Sequence, residues 1–135
     1  MQRQGNELDF TGQQVYAGID VGKKSWDVSV MTKEWEHKTY KQPPEAGVLA
    51  RYLRRNFPGA DYKSVYEAGF SGFGAHEELK ANGIDSIAVN PGDVPTAASE
   101  KAGKTNKIDA RKLARSLRSG ELHGIYVRPR KTDRS

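Results

Sequence analysis

The strongest constraint on the fold is a pair of apolar runs near the N-terminus. Residues 15–19 read Val-Tyr-Ala-Gly-Ile, residues 26–30 read Trp-Asp-Val-Ser-Val, and residues 21–25 between them contain one glycine and two lysines. Two strand-like runs that flank a glycine-containing turn predict a β-hairpin. Asp20 closes the first run, so a carboxylate is expected where a strand meets a basic turn. An ordinary turn aspartate that makes local hydrogen bonds is the alternative.

The rest of the chain reads as alternating strands and helices. Periodicity and Gly/Pro punctuation predict, in order, a strand at 35–40, a helix from Glu45 to Phe57, a strand at 63–66 that ends at Glu67, a helix through Leu79, a strand at 85–89 and a helix from about Asn106 to Leu117. Three leading antiparallel strands followed by this alternation predict an α/β domain with a mixed sheet and flanking helices.

Length and composition exclude several classes of protein. The chain has 135 residues, of which 36% are hydrophobic and 29% charged, and these values fit one globular domain with its own core. It contains no cysteine, which excludes a disulfide framework and a thiolate zinc site. No apolar run is long enough to span a bilayer. We therefore expect a cytoplasmic protein without a membrane partner.

Positive charge is concentrated in the last third of the chain. Residues 1–100 carry a net charge of −3, whereas residues 101–135 carry +8. Such asymmetry is typical of a surface that binds a polyanion, although a solvated basic tail would look the same. The lysines and arginines predicted to bind nucleic acid are Lys23, Lys24, Lys104, Lys107, Arg111, Lys112, Arg115 and Arg118.

Three acids are placed where they could meet. Asp20 and Glu67 end two strands, and Asp109 lies in the first turn of the last predicted helix, one turn after Asn106. Carboxylates that converge repel one another unless divalent cations lie between them, and Mg²⁺ prefers carboxylate and water oxygens. Two such ions would suit phosphodiester displacement. Alternatively, Glu67 is a solvated strand-end acid, while Asn106 and Asp109 only cap a helix.

Four motifs in a fixed order resemble those of a known family. They are Gly18–Lys23 (GIDVGK), Tyr66–Ala68 followed by Gly69, Asn90-Pro91 and Lys104–Ala114 (KTNKIDARKLA). Together they are similar to the N-terminal domain of the DEDD transposases of bacterial insertion sequences, which are relatives of the Piv-type DNA invertases. The similarity covers residues 15–127, and the lysine-rich last motif contributes most of its specificity.

The resemblance implies a fold, an activity and a metal. The fold would be RNase H-like and close to the RuvC junction resolvase, and the activity would be Mg²⁺- or Mn²⁺-dependent DNA strand cleavage and exchange in transposition. By matching positions, Asp20, Glu67 and Asp109 would be the catalytic metal ligands. The remaining acidic position of the family falls on Asn106, whose amide offers an oxygen without a charge, so one ion would bind more weakly.

The resemblance also implies domain boundaries and partners. Residues 1–14 would be a loose N-terminal segment, residues 15–127 the catalytic domain, and residues 128–135 the start of a linker. The chain would then be an isolated N-terminal domain, either an expressed fragment or a truncated gene product of a bacterial protein. DNA is the expected partner. Some family members also use a guide RNA, and the full-length protein would be a homo-oligomer.

Two other functions stay open at this point. The first is a nucleic-acid-binding fragment without independent activity. The second is an actin-like ATPase or sugar kinase, because the first phosphate loop of that class resembles Gly18–Lys23. That class requires a second phosphate loop and an adenosine motif in a duplicated domain, for which 135 residues leave no room.

Overall fold

The computed structural model describes residues 9–67, 74–89, 109–120 and 122. Within these ranges, the strands and helices are β1 (Gln14–Val21), β2 (Trp26–Thr32), β3 (Glu36–Gln42), α1 (Ala46–Asn56), β4 (Asp61–Glu67), α2 (Ala75–Ala81), β5 (Ile84–Val89) and α3 (Ala110–Ser119).

The five strands form one mixed sheet in the order β3-β2-β1-β4-β5. β1, β2 and β3 pair antiparallel, while β4 lies parallel to β1 and β5 lies parallel to β4. The parallel pairs require crossover connections, which contain α1 and α2. The predicted α/β class with three leading antiparallel strands is therefore confirmed.

The two faces of the sheet are covered by different helices. Alternate residues of β1, such as Val15 and Ile19, are fully buried in the larger core cluster with Leu49 and Leu53 of α1. On the opposite face, a smaller buried cluster joins Val65 and Val89 to Leu113 of α3. Since side chains alternate across a strand, the odd-numbered residues of β1 lie on the α1 face and the even-numbered ones on the α3 face.

The absence of a side chain at Gly18 allows α3 to approach β1 closely. A Cβ atom at this position would overlap the carbonyl oxygen of Ala110 and lie 2.5 Å from the backbone nitrogen of Ala114. Both obstacles belong to the helix backbone, so no side-chain rearrangement would relieve them. Gly18 therefore fixes how deeply the start of α3 packs onto the sheet.

The last helix begins later than predicted. Asp109 is its N-cap, with extended backbone angles (φ −84°, ψ 168°), and α3 continues to Ser119 before Gly120 ends it in a left-handed conformation (φ 79°). The prediction that Asp109 lies in the first helical turn was wrong, because Asp109 is the N-cap and its side chain accepts the free backbone N–H of Lys112. Asn106 lies outside the described residues.

Phe10 lies in the segment expected to be loose, and it contacts the end of α1. Its ring is 5.1 Å from that of Phe57, centroid to centroid, in an edge-on arrangement, and its backbone N–H donates to the carbonyl of Pro58 at 2.8 Å.

In the part of the chain that the structure describes, no helix is both long and apolar enough to cross a bilayer.

Substitution of Gly18 by alanine tests the close approach of α3. We expect Gly18→Ala to lower the free energy of unfolding by about 3 kcal/mol, because the added methyl group meets backbone rather than flexible side chains. Urea denaturation measures this change. Gly47→Ala in α1 is the matched control: its Cβ would have no neighbour closer than 3.8 Å, so a gain of about 0.5–1 kcal/mol is expected. Equal stability of Gly18→Ala and the wild-type chain would contradict the packing argument.

Candidate metal and nucleic-acid site

Asp20 and Glu67 lie on adjacent inner strands, near the carboxyl ends of β1 and β4. We call this end of the sheet, where Asp20 and Glu67 lie, the acidic edge. The parallel register of β1 and β4 pairs Gly18 with Val65 and Ile19 with Tyr66, and the last two of these directly precede Asp20 and Glu67. Val65 packs against Leu113 of α3, so Glu67, two residues on, lies on the same face. Asp20 is likewise two residues after Gly18, which α3 contacts, so Asp20 also lies on the α3 face. Both acids are partly buried.

Asp109 reaches the same end of the sheet from α3. The helix begins above Gly18, only two residues before Asp20. The Asp109 carboxylate is exposed, and its Oδ1 accepts the backbone N–H of Lys112 at 2.9 Å. One carboxylate oxygen thus caps the helix, which agrees with the alternative role of Asp109 as a capping residue.

These acids supply oxygen ligands of the type that Mg²⁺ prefers. Two partly buried carboxylates on adjacent strands are held by rigid backbone, which favours a defined site. Among the residues that the structure describes, however, no three His, Cys, Asp or Glu side chains form a group that could hold a metal ion. Among the described residues, Asp20 and Glu67 are therefore two candidate carboxylate ligands and do not form a complete metal cage.

Two arginines of α3 contact an acid that the sequence analysis did not single out. Arg115 Nε donates to Glu36 Oε2 at 2.7 Å, and Arg111 Nε lies 4.0 Å from Glu36 Oε1. About half of each arginine side chain stays exposed, 52% for Arg115 and 53% for Arg111. Glu36 at the start of β3 therefore anchors the basic side of α3, and solvent still reaches both guanidinium groups.

Of the remaining predicted basic residues, those that the structure describes lie on α3 and in the β1–β2 turn. Arg118 Nη1 is 3.4 Å from the carbonyl oxygen of Thr32, while Lys112 is partly buried. Lys23 and Lys24 are exposed in the β1–β2 turn, directly beyond Asp20. Lys104 and Lys107 lie outside the described residues, as does Asn106.

A second acid, Asp27, lies beside Asp20 and was also missed. The antiparallel register pairs Asp20 with Asp27, and the next strand pairs Asp27 with Lys41. Lys41 Nζ lies 2.7 Å from Asp27 Oδ1. A row of charged residues therefore crosses four strands at one edge of the sheet. Only the strand register reveals it, since nothing in the sequence fixes that pairing.

Sequence comparison relates the chain to transposases, although no protein-family model matches it. The transposase of insertion sequence element IS1533 from Leptospira borgpetersenii is 31% identical over 113 residues, covering 82% of this chain and 32% of the transposase. The Sinorhizobium fredii protein y4rJ, named as a candidate transposase, is 29% identical over 117 residues, covering 76% of the chain and 29% of that protein. The chain spans about a third of the length of these curated relatives.

Structural comparison identifies the fold. RuvC of T. thermophilus, solved in complex with a Holliday junction substrate, superposes with a TM-score of 0.58 at 15% identity, covering 83% of this chain and 99% of RuvC. At this identity the likeness concerns the fold alone. The predicted RuvC-like, RNase H-like fold and the resemblance to insertion-sequence transposases are thereby confirmed.

The ion pair between Glu36 and Arg115 predicts a pH dependence of stability. Hydrogen bonding from Arg115 holds the pKa of Glu36 below its ordinary value of 4.5, and the charges of Arg111 and Arg118 act in the same direction. Because the folded-state pKa is the lower one, the pair stabilises the fold above the unfolded-state pKa. This contribution is lost as the pH falls through the folded-state pKa. Solvent screening keeps the effect small.

Thermal unfolding at several pH values measures this contribution. We expect Glu36→Gln to unfold at a lower temperature than the wild-type chain at neutral pH, with the difference vanishing in acid. Glu34→Gln, which neutralises an exposed acid in the adjacent turn, is the control and should leave the pH profile unchanged. A constant difference between Glu36→Gln and the wild-type chain across the whole pH range would refute the assignment.

Proposed function

We propose that this chain, a RuvC-like domain related to the transposases of insertion sequences, is the N-terminal catalytic part of a DNA transposase. Its activity would be divalent-metal-dependent cleavage and exchange of DNA strands. The observation that supports the proposal is the pairing of Ile19 with Tyr66 on adjacent parallel strands, since the next residue of each strand is an acid, Asp20 or Glu67, on the face where α3 begins. Function in α/β folds commonly resides at the carboxyl ends of parallel strands.

Asp20 and Glu67 are the residues that would hold the metal, with Asp109 as a third ligand through the oxygen that does not cap α3. Mg²⁺ or Mn²⁺ bound there would supply charge stabilisation for the attacking and leaving oxygens of a phosphodiester. The protein's own contribution is to keep the two strand-borne carboxylates fixed beside each other, so that little reorganisation is needed on binding. Asn106 would add a neutral oxygen at most.

The exposed cations around this edge would hold the DNA backbone. Arg111 and Arg115 follow one side of α3, and Lys23 and Lys24 extend beyond Asp20 from the β1–β2 turn. Lysine and arginine contacts to phosphate fix the register of a duplex without reading its sequence. In this arrangement the backbone lies along α3 and reaches the acidic edge at the start of the helix.

A second function is favoured by two observations. The chain spans only 29–32% of the length of the relatives it matches, and the described residues contain no ready three-ligand metal group. Both observations fit a domain that binds nucleic acid but cleaves it only as part of a longer protein. The guide RNA, the homo-oligomer and the cytoplasmic location stay predictions in either case.

Calorimetry with Mn²⁺ tests the metal site. We expect Asp20→Asn and Glu67→Gln each to weaken binding at least about tenfold, since either change removes a charged ligand from the pair. Asp61→Asn is the matched control: Asp61 begins the strand that Glu67 ends, on the same face, and it is exposed. Unchanged Mn²⁺ affinity in both site variants would reject the proposed metal ligands.

Asp109 needs a variant that separates capping from metal binding. Asp109→Ser keeps a side-chain oxygen that can accept the N–H of Lys112, so the helix cap is retained, but the carboxylate is lost. We expect near wild-type thermal stability together with weaker Mn²⁺ binding. Weaker stability with unchanged Mn²⁺ affinity would show that Asp109 serves α3 alone.

A further inference from the structure

The ion pair between Asp27 and Lys41 lies beside the proposed metal site. Lys41 Nζ is 2.7 Å from Asp27 Oδ1, and the two side chains are 65% and 43% exposed respectively. Exposed ion pairs contribute little to stability because solvent screens them. The pair is therefore a poor candidate for a purely stabilising contact, and its location calls for another explanation.

The strand register places the pair on the face that α3 covers. Asp20 is directly opposite Asp27, and Asp27 is directly opposite Lys41. Directly opposed side chains on adjacent strands have Cβ atoms about 5 Å apart. Asp20 shares its face with Gly18, over which α3 begins, so Asp27 and Lys41 share it too. Lys41 thus lies at the acidic edge, on the same face of the sheet as Asp20.

Lys41 also continues the cationic side of α3. Arg115 and Arg111 both approach Glu36, which is the first residue of β3. Lys41 lies near the other end of β3, level with Asp27 rather than with Glu36. The cations of α3 thus meet β3 at its first residue, and Lys41 adds positive charge near the other end of the strand, level with Asp27.

Asp27 is suited to orient this lysine. Lysine has a flexible stem with four rotatable bonds, and its ammonium group offers three donors. Asp27 takes one of these donors, which restricts the stem and leaves donor capacity for a second anion. A carboxylate directly opposite Asp20 would otherwise be repulsive, and the bound ammonium offsets that repulsion.

We propose that Lys41, positioned by Asp27, contacts a backbone phosphate of the nucleic acid beside the metal-binding edge. The proposal rests on the proposed function and deepens it. Asp27 is a positioning residue, since it acts through Lys41 and has no contact of its own with the phosphate. The ligand class is a phosphodiester backbone, recognised by charge without regard to base sequence.

The test is a binding titration that includes one variant of unchanged net charge. Fluorescence anisotropy with a short labelled DNA duplex, at a fixed Mg²⁺ concentration and a series of NaCl concentrations, gives the affinity and its salt dependence. We compare wild type, Lys41→Gln, Lys41→Arg and the double variant Asp27→Asn/Lys41→Gln, whose net charge equals that of the wild-type chain. Lys38→Gln is the matched control, because Lys38 is exposed on the same strand but pairs with Val30 on the α1 face.

We expect several-fold weaker binding by Lys41→Gln, with the slope of log affinity against log salt reduced by about one. The double variant should be equally weak, because the phosphate contact is gone although the charge is balanced. Lys41→Arg should bind within about twofold of the wild-type chain, since arginine also donates to phosphate. Lys38→Gln should keep the wild-type slope.

Two results separate the failure of this inference from the failure of the proposed function. Salt-independent or absent binding by the wild-type chain would overturn the nucleic-acid function and this inference with it. Salt-dependent binding by the wild-type chain, with the double variant at wild-type affinity or Lys41→Gln equal to Lys38→Gln, would overturn the role of Lys41 alone. Unchanged thermal unfolding of all variants confirms that binding, not folding, is compared.

Discussion

The contact between the backbone of α3 and Gly18 of β1 determines the rest of the structure. Because the glycine has no side chain, the first turn of the helix packs directly onto the central strand, two residues before Asp20. This depth brings the helix start, with Asp109 as its cap, to the acidic edge, where Asp20 lies one residue before the end of β1 and Glu67 ends β4. A helix displaced by even one methyl group would lift Asp109 away from the strand-borne acids.

Charge is organised around this contact in two compensated groups. At the acidic edge, Asp27 forms an ion pair with Lys41. Farther along β3, Glu36 binds the cations of α3. In both groups a carboxylate holds a cationic side chain in a defined place while much of that side chain stays exposed. Such preorganised cations can bind phosphate with little loss of side-chain freedom.

The sequence predicted the features that depend on local pattern and missed those that depend on register. Strand periodicity and Gly/Pro punctuation predicted the element order and the position of Glu67 at the end of its strand, whereas β1 continues one residue past Asp20, to Val21. The contact of Glu36 with Arg115 joins residues 79 positions apart, and no local pattern encodes such a contact. Asp27 appeared only as one residue of a strand, because its neighbour across the sheet depends on pairing. The cap role of Asp109 was anticipated as an alternative, but the helix start was not.

The proposed metal site is tested most directly by a crystal structure of the chain soaked in Mn²⁺, with the ion located by its anomalous scattering. We predict a Mn²⁺ ion bound by carboxylate oxygens of both Asp20 and Glu67, close to the start of α3. An ordered Mn²⁺ at another place, or carboxylates of Asp20 and Glu67 that turn away from each other with no ion between them, would contradict it.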